Sequence, residues 1–130
     1  MKSFKFANAD SEQAHQVRVI KFLDDTFPLV LYNADAGGIR TSWTQAKKAK
    51  AAGHKAGFPD LAIMRPMGQY HGLFIEMKRE KGGVASPEQK AWVEALRYAG
   101  YRAEICKGAA AAIKVICEYL GATNATTDKP

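Results

Sequence analysis

Apolar residues recur with helical spacing at Val17, Ile20, Leu23 and Phe27, behind the cap candidates Asp10 and Ser11 and ahead of Pro28, which predicts a first helix. Phe27 to Tyr32 leads into a first strand, and Asn33 to Thr41, with Gly37 and Gly38, reads as a loop. Ser42 to Ala52 predicts a second helix. The period then changes to two. From Asp60 to Arg65, Leu61 and Ile63 fall on one face while Asp60, Ala62 and Met64 fall on the other. From Leu73 to Lys78, Leu73, Ile75 and Met77 point one way, and Phe74, Glu76 and Lys78 the opposite way. Pro66, Gly68 and Gly72 between these runs favour turns and predict a hairpin. Ser86-Pro87-Glu88-Gln89 opens a third helix, with Ser86 as cap, Pro87 at the first position and Gln89 placed to close a capping box. Its stripe of Trp92, Leu96 and Ala99 ends at Gly100 and suits a core better than a base-stacking platform. Tyr101 to Cys106 alternates as a fourth strand, and Ala109 to Leu120 is an alanine-rich helix whose Ile113, Ile116 and Leu120 can pack on a sheet.

That order predicts an α/β fold with a mixed central sheet flanked by helices. One domain spans residues 1–121, and the small, polar stretch 122–130 is expected to be a disordered tail. With 130 residues, the chain can build one core and has no room for a second.

Composition narrows the partners. A net charge of +6 favours a polyanion. No apolar run approaches a membrane span, and the charged opening Met1 to Lys5 is not followed by a signal-peptide core, so a cytoplasmic location is expected. Cys106 and Cys117 stand alone in apolar segments, which predicts buried, reduced thiols. The three histidines are too scattered to form a metal cluster.

The candidate chemistry lies in the hairpin. Folding Asp60 to Arg65 back on Leu73 to Lys78 brings Asp60 close to Glu76, with Lys78 beside Glu76 on the same face. Two adjacent carboxylates repel unless a positive charge lies between them, and a hard divalent cation such as Mg²⁺ suits all-oxygen ligands. Such an ion lowers the pKa of its water, and Lys78 is placed to orient that water or stabilise the transition state. The plain alternative is a solvated Glu76–Lys78 pair; Pro59-Asp60 and the two apolar strands favour a site. Glu12 lies in the first turn of the first helix, where a glutamate also simply complements the helix dipole. Lys47, Lys48 and Lys50 on the second helix, Lys55 after it, and Arg79 and Lys81 in the loop after Lys78 are candidates for DNA-phosphate contacts, although such runs are usually solvated faces.

In order and spacing, four pieces resemble the virus-type replication-repair nuclease domain, VRR-NUC, of the PD-(D/E)XK superfamily. They are Glu12 within Ser11-Glu12-Gln13, the block Gly53 to Leu61, the block Gly72 to Lys78, and the block Ser86 to Trp92. The resemblance covers roughly residues 10–121. It implies a restriction-endonuclease-like core, Mg²⁺ or Mn²⁺ bound at Asp60 and Glu76 with support from Glu12, catalysis assisted by Lys78, and a supporting role for Gln89 beside its capping-box explanation. Stand-alone members are typically phage-encoded, which places such a protein in the bacterial host cytoplasm, and the resemblance suggests a homodimer acting on branched DNA such as Holliday junctions. Competing readings are a flap or general DNA nuclease, a non-catalytic DNA-binding module on the same fold, and a host-interaction protein that binds acidic protein. Without room for a separate sequence-reading domain, recognition of DNA shape is the better-supported mode. The pattern assigns no role to the 42–52 segment.

Overall fold

A computed structural model describes residues 10–34 and 42–121. The expected tail at 122–130 and most of the expected Asn33–Thr41 loop lie outside the described residues.

Helix α1 (Glu12–Thr26) starts where the Ser11 hydroxyl accepts the Ala14 N–H at 3.0 Å. Its buried side chains are His15, Val19 and Leu23, and Phe27 continues that row. Val17, expected in the apolar stripe, is 61% exposed. It stands about 200° around the helix from Val19, and the core-facing row runs through a histidine that the hydrophobic pattern could not count. The first strand also starts later than expected. Phe27 to Val30 forms a turn, closed by the Val30 N–H on the Phe27 carbonyl, and β1 is Tyr32–Ala34.

After α2 (Trp43–Ala51) come β2 (Leu61–Ile63) and β3 (Leu73–Lys78), then α3 (Pro87–Tyr98), β4 (Arg102–Lys107) and α4 (Ala109–Leu120). The sheet order is β1-β2-β3-β4. Strands β1, β2 and β3 pair antiparallel, with Leu61 opposite Ile75, while β3 and β4 are parallel and joined through α3, as a parallel pair requires a crossover.

The period-two pattern of β3 divides two packed layers. Leu73, Ile75 and Met77 join Leu61, Ile63, Val19, Leu23, Phe27, Ala112 and Ile116 in the larger core under α1 and α4. Phe74 faces the smaller core of Val93, Leu96 and Ala103 beneath α3. Each fully buried aliphatic side chain contributes about 1.5–3 kcal/mol, so the register of β3 is held from both faces. A slip of one residue would place Glu76 and Lys78 in the larger core.

Candidate active site

The site forms where β3 outruns its neighbour. Strand β2 begins at Leu61, opposite Ile75, so the last residues of β3 extend past it. There the Asp60 Oδ2 accepts the Met77 N–H at 2.8 Å, taking the place of a missing strand partner. This fixes the Asp60 carboxylate beside Glu76, as the hairpin predicted.

The block before Asp60 is anchored to α3. Gly57, at φ +89°, packs so closely on the α3 start that a Cβ would lie 2.7 Å from the Glu88 carbonyl carbon. The Phe58 ring meets Trp92 edge-on at 5.0 Å and Phe74 at 5.6 Å, and the Trp92 indole N–H donates to the Ala56 carbonyl at 3.1 Å. Trp92 is therefore a structural clamp on the Asp60 segment, in keeping with its expected core role. The loop after β3 returns closely too: a Cβ on Gly83 would lie 2.6 Å from the Arg79 carbonyl oxygen and 3.0 Å from the Lys78 Cβ.

Glu76 and Lys78 are only 2% and 6% exposed, which rules out the solvated-pair reading. Burying charge without a compensating partner is costly. Glu76 Oε2 accepts from Gln89 Nε2 at 2.9 Å and lies 3.6 Å from Lys78 Nζ. Lys78 Nζ also reaches Glu12 Oε2 at 3.4 Å. Glu76 Oε1 is buried and receives no donor among the described residues. Its neighbour is the second carboxyl, Asp60, so this corner is completed by a proton shared between the acids or by a cation.

The electrostatics agree with that geometry. Burial, then the charge of Asp60, pushes the Glu76 carboxyl up to about 8. Asp60 is also raised, chiefly by burial, against the opposing effect of the Met77 N–H. Two acids both raised by burial, Glu76 further by the charge of Asp60, suit a divalent cation, which would offset that penalty.

The expected three-carboxylate metal set is not assembled, however. Among the described residues no group of three or more His, Cys, Asp or Glu side chains is placed to hold a metal ion. Glu12 is engaged with the Lys78 ammonium, so its place is beside the lysine, and the Asp60–Glu76 pair is what remains for a metal. Gln89 closes the capping box and also touches Glu76. Its Oε1 accepts the Ser86 N–H at 2.8 Å in a complete capping box, and its Nε2 holds Glu76.

The six candidate DNA-contacting cations are exposed: Lys47, Lys48 and Lys50 on α2, Lys55 in the turn before the Gly57 block, and Arg79 and Lys81 after β3. Both cysteines are free; Cys106 is buried as expected, its thiol pushed up to about 12 by burial, whereas Cys117 is only half-buried.

The pattern missed His15. Its Nδ1 accepts the Ala109 N–H at 3.0 Å, supplying the cap that Gly108 cannot give α4. It sits one turn beyond Glu12 and ties that end of α1 to the chain segment leaving β4. A histidine three residues after Glu12, together with a later helix opening on glycine, was the available signal.

No described helix is long and apolar enough to cross a membrane. Comparison with curated proteins gives no significant match. The VRR-NUC domain family matches residues 6–110. Among solved structures, a VRR_NUC domain protein is similar at 31% identity and TM-score 0.73, over 87% of this chain and 90% of that one. A second VRR_NUC domain, at 20% identity and TM-score 0.52 over 85% of this chain and 99% of that one, shares the fold. With Asp60, Glu76 and Lys78 gathered at the end of a mixed sheet that matches such a domain over most of its length, the chain belongs to the VRR-NUC family and has its nuclease-type fold.

Proposed function

We propose that this chain is a Mg²⁺- or Mn²⁺-dependent endodeoxyribonuclease that hydrolyses phosphodiester bonds in branched DNA, acting as a homodimer. One observation carries the catalytic part: the buried Glu76 carboxyl beside the half-buried Asp60, with Glu76 Oε1 lacking a donor among the described residues and the buried Lys78 ammonium alongside. A structural sheet end gains nothing from two buried charged groups, Glu76 and Lys78, set beside a third ionisable group, Asp60.

Asp60 and Glu76 are the residues that would hold the ion. When bound, it supplies an activated water and neutralises charge on the scissile phosphate. Asp60 is kept in place by the Met77 N–H, and Glu76 by the Gln89 amide. Lys78, held between Glu12 and Glu76, presents an ammonium where charge develops on the phosphate oxygens, and its burial strengthens that interaction. The exposed cations from Lys47 to Lys55 and at Arg79 and Lys81 bind the DNA backbone without reading sequence. A twofold dimer supports paired incisions in a four-way junction, because it offers two such centres in matching orientation.

The deciding experiment incubates the purified chain with labelled four-way, flap, splayed and linear DNAs in Mg²⁺, Mn²⁺, Ca²⁺ or chelator, beside sedimentation measurement of its mass. Mg²⁺ or Mn²⁺ should support symmetric paired cuts in the junction by a dimer, and Ca²⁺ should support binding with little cutting. Cleavage that persists in chelator, or in Asp60→Asn or Glu76→Gln, would sink the site. A monomer that prefers flaps or linear duplex would leave the nuclease standing and remove the junction assignment.

A further inference from the structure

Helix α2 is unlike the others. All nine of its residues are exposed, including Trp43 at 79%, so no packing on the sheet accounts for its sequence. Its stability is local: Ser42 and Gln45 close a capping box, and Lys48 and Lys50 in the last turn complement the helix dipole. Trp43, Ala46, Lys47 and Lys50 share one face, and Lys47 Nζ lies 5.9 Å from the centroid of the indole. Charge identifies the partner. From Ala36 to Pro59 the chain has no Asp or Glu and five Lys or Arg, in a protein that holds 13 acids overall.

Resting on the endonuclease reading, we infer that α2 is a DNA-gripping arm on which Trp43 stacks against an unpaired base while Lys47 and Lys50 take the flanking phosphates. A flat, solvent-facing ring framed by lysines suits a base freed from its partner at a branch, since every base has a π-face. The bases of an intact duplex offer no such face. The small Ala46 on the same face allows the backbone to approach closely. The arm is also within reach of the cutting site. Ala56 is clamped by Trp92, and the five-residue step from Ala51 to Ala56 spans at most about 18 Å. The eight-residue rise of the helix adds about 12 Å. Trp43 therefore lies within roughly 30 Å of the Asp60 segment, less than one turn of duplex.

The test measures binding of the full chain, in chelator to prevent cutting, to a labelled duplex and to the same duplex carrying a single-stranded arm. Trp43→Ala should weaken binding to the armed DNA by roughly tenfold or more and change binding to plain duplex far less, with Trp43→Phe restoring much of the loss. The armed DNA should quench tryptophan fluorescence in the wild type and not in Trp43→Ala. If Trp43→Ala binds both DNAs as the wild type does while still nicking plasmid in Mn²⁺, the inference fails and the endonuclease reading stands. If Trp43→Ala lowers the sedimenting mass and weakens both DNAs equally, the face is a contact with a second copy and the inference fails. A wild-type chain that neither binds nor nicks any DNA overturns both.

Discussion

Gln89 bonds to Glu76 with the same amide that closes the capping box of α3: its Nε2 donates to Glu76 Oε2 at 2.9 Å while its Oε1 accepts the Ser86 N–H at 2.8 Å. The start of a helix and the orientation of a buried carboxylate are thus one device. The capping box fixes which end of the amide faces Glu76, because reversing it would break both bonds.

That coupling is separable by substitution. Gln89→Ala should lose about 1 kcal/mol of stability through the cap and also reduce cleavage. Gln89→Glu keeps an N3 acceptor for Ser86 but sets a carboxylate against Glu76. It should cost activity at least about tenfold, the effect of losing one charge-assisted hydrogen bond. Thermal unfolding and plasmid nicking of both variants check this. Full activity in Gln89→Glu would leave Gln89 with the cap alone.

Glu76 makes the metal-free protein sensitive to pH. Its folded-state value of about 8 exceeds the ordinary 4.5, so between these two the unfolded chain ionises while the folded chain keeps its proton. Stability should therefore fall as pH rises from about 4.5 to about 8, at no more than about 1.4 kcal/mol per pH unit. Glu76→Gln should flatten that fall. At pH 8, Mg²⁺ or Mn²⁺ should raise the melting temperature of the wild type and not of Glu76→Gln. Denaturation curves at several pH values, with and without cation, provide the measurement.

Lys78 should separate chemistry from binding. Lys78→Ala is expected to lose roughly 10² or more in turnover with DNA affinity nearly unchanged, since one buried ammonium is a small part of a basic footprint. Equal losses in affinity and turnover would place Lys78 in binding instead.

The exposed lysines of α2 should behave in the opposite way. Changing Lys47, Lys48 and Lys50 together to Ala should weaken binding and reduce the salt slope by roughly 2–3. An unchanged slope in a mobility-shift titration would make this a solvated face.

His15→Ala should cost about 1–3 kcal/mol by leaving the buried Ala109 N–H unsatisfied, and should loosen Glu12 one turn away. A loss of stability is expected together with lower turnover in the fraction that remains folded. Unfolding curves and cleavage rates per folded molecule check both.

How much of this was legible in the sequence depends on how local the deciding physics is. Strand alternation and the turn residues between Arg65 and Leu73 determine the hairpin, and with it the meeting of Asp60, Glu76 and Lys78. The caps at Ser11, Ser42 and Ser86 act within three residues, so the helix starts were readable, and α4 was placed at its observed bounds. What the linear pattern could not supply was anything set by groups distant along the chain. Val17 gave way to Val19 because the buried face of α1 is set by the distant strand and α4 side chains it packs on, and His15 on that face meets a donor 94 residues away, on Ala109. The pairing of Glu12 with Lys78 is of this kind, because the α1 start meets the end of β3 at the ammonium. The exposure of Trp43 was likewise invisible, since an apolar side chain on a helix is assigned to a core until the tertiary structure shows that no sheet lies beneath it. Sequence alone determined the elements and the charged groups gathered at the hairpin end; tertiary packing decided which partners each group meets, because those partners come from separate elements whose approach no local period encodes.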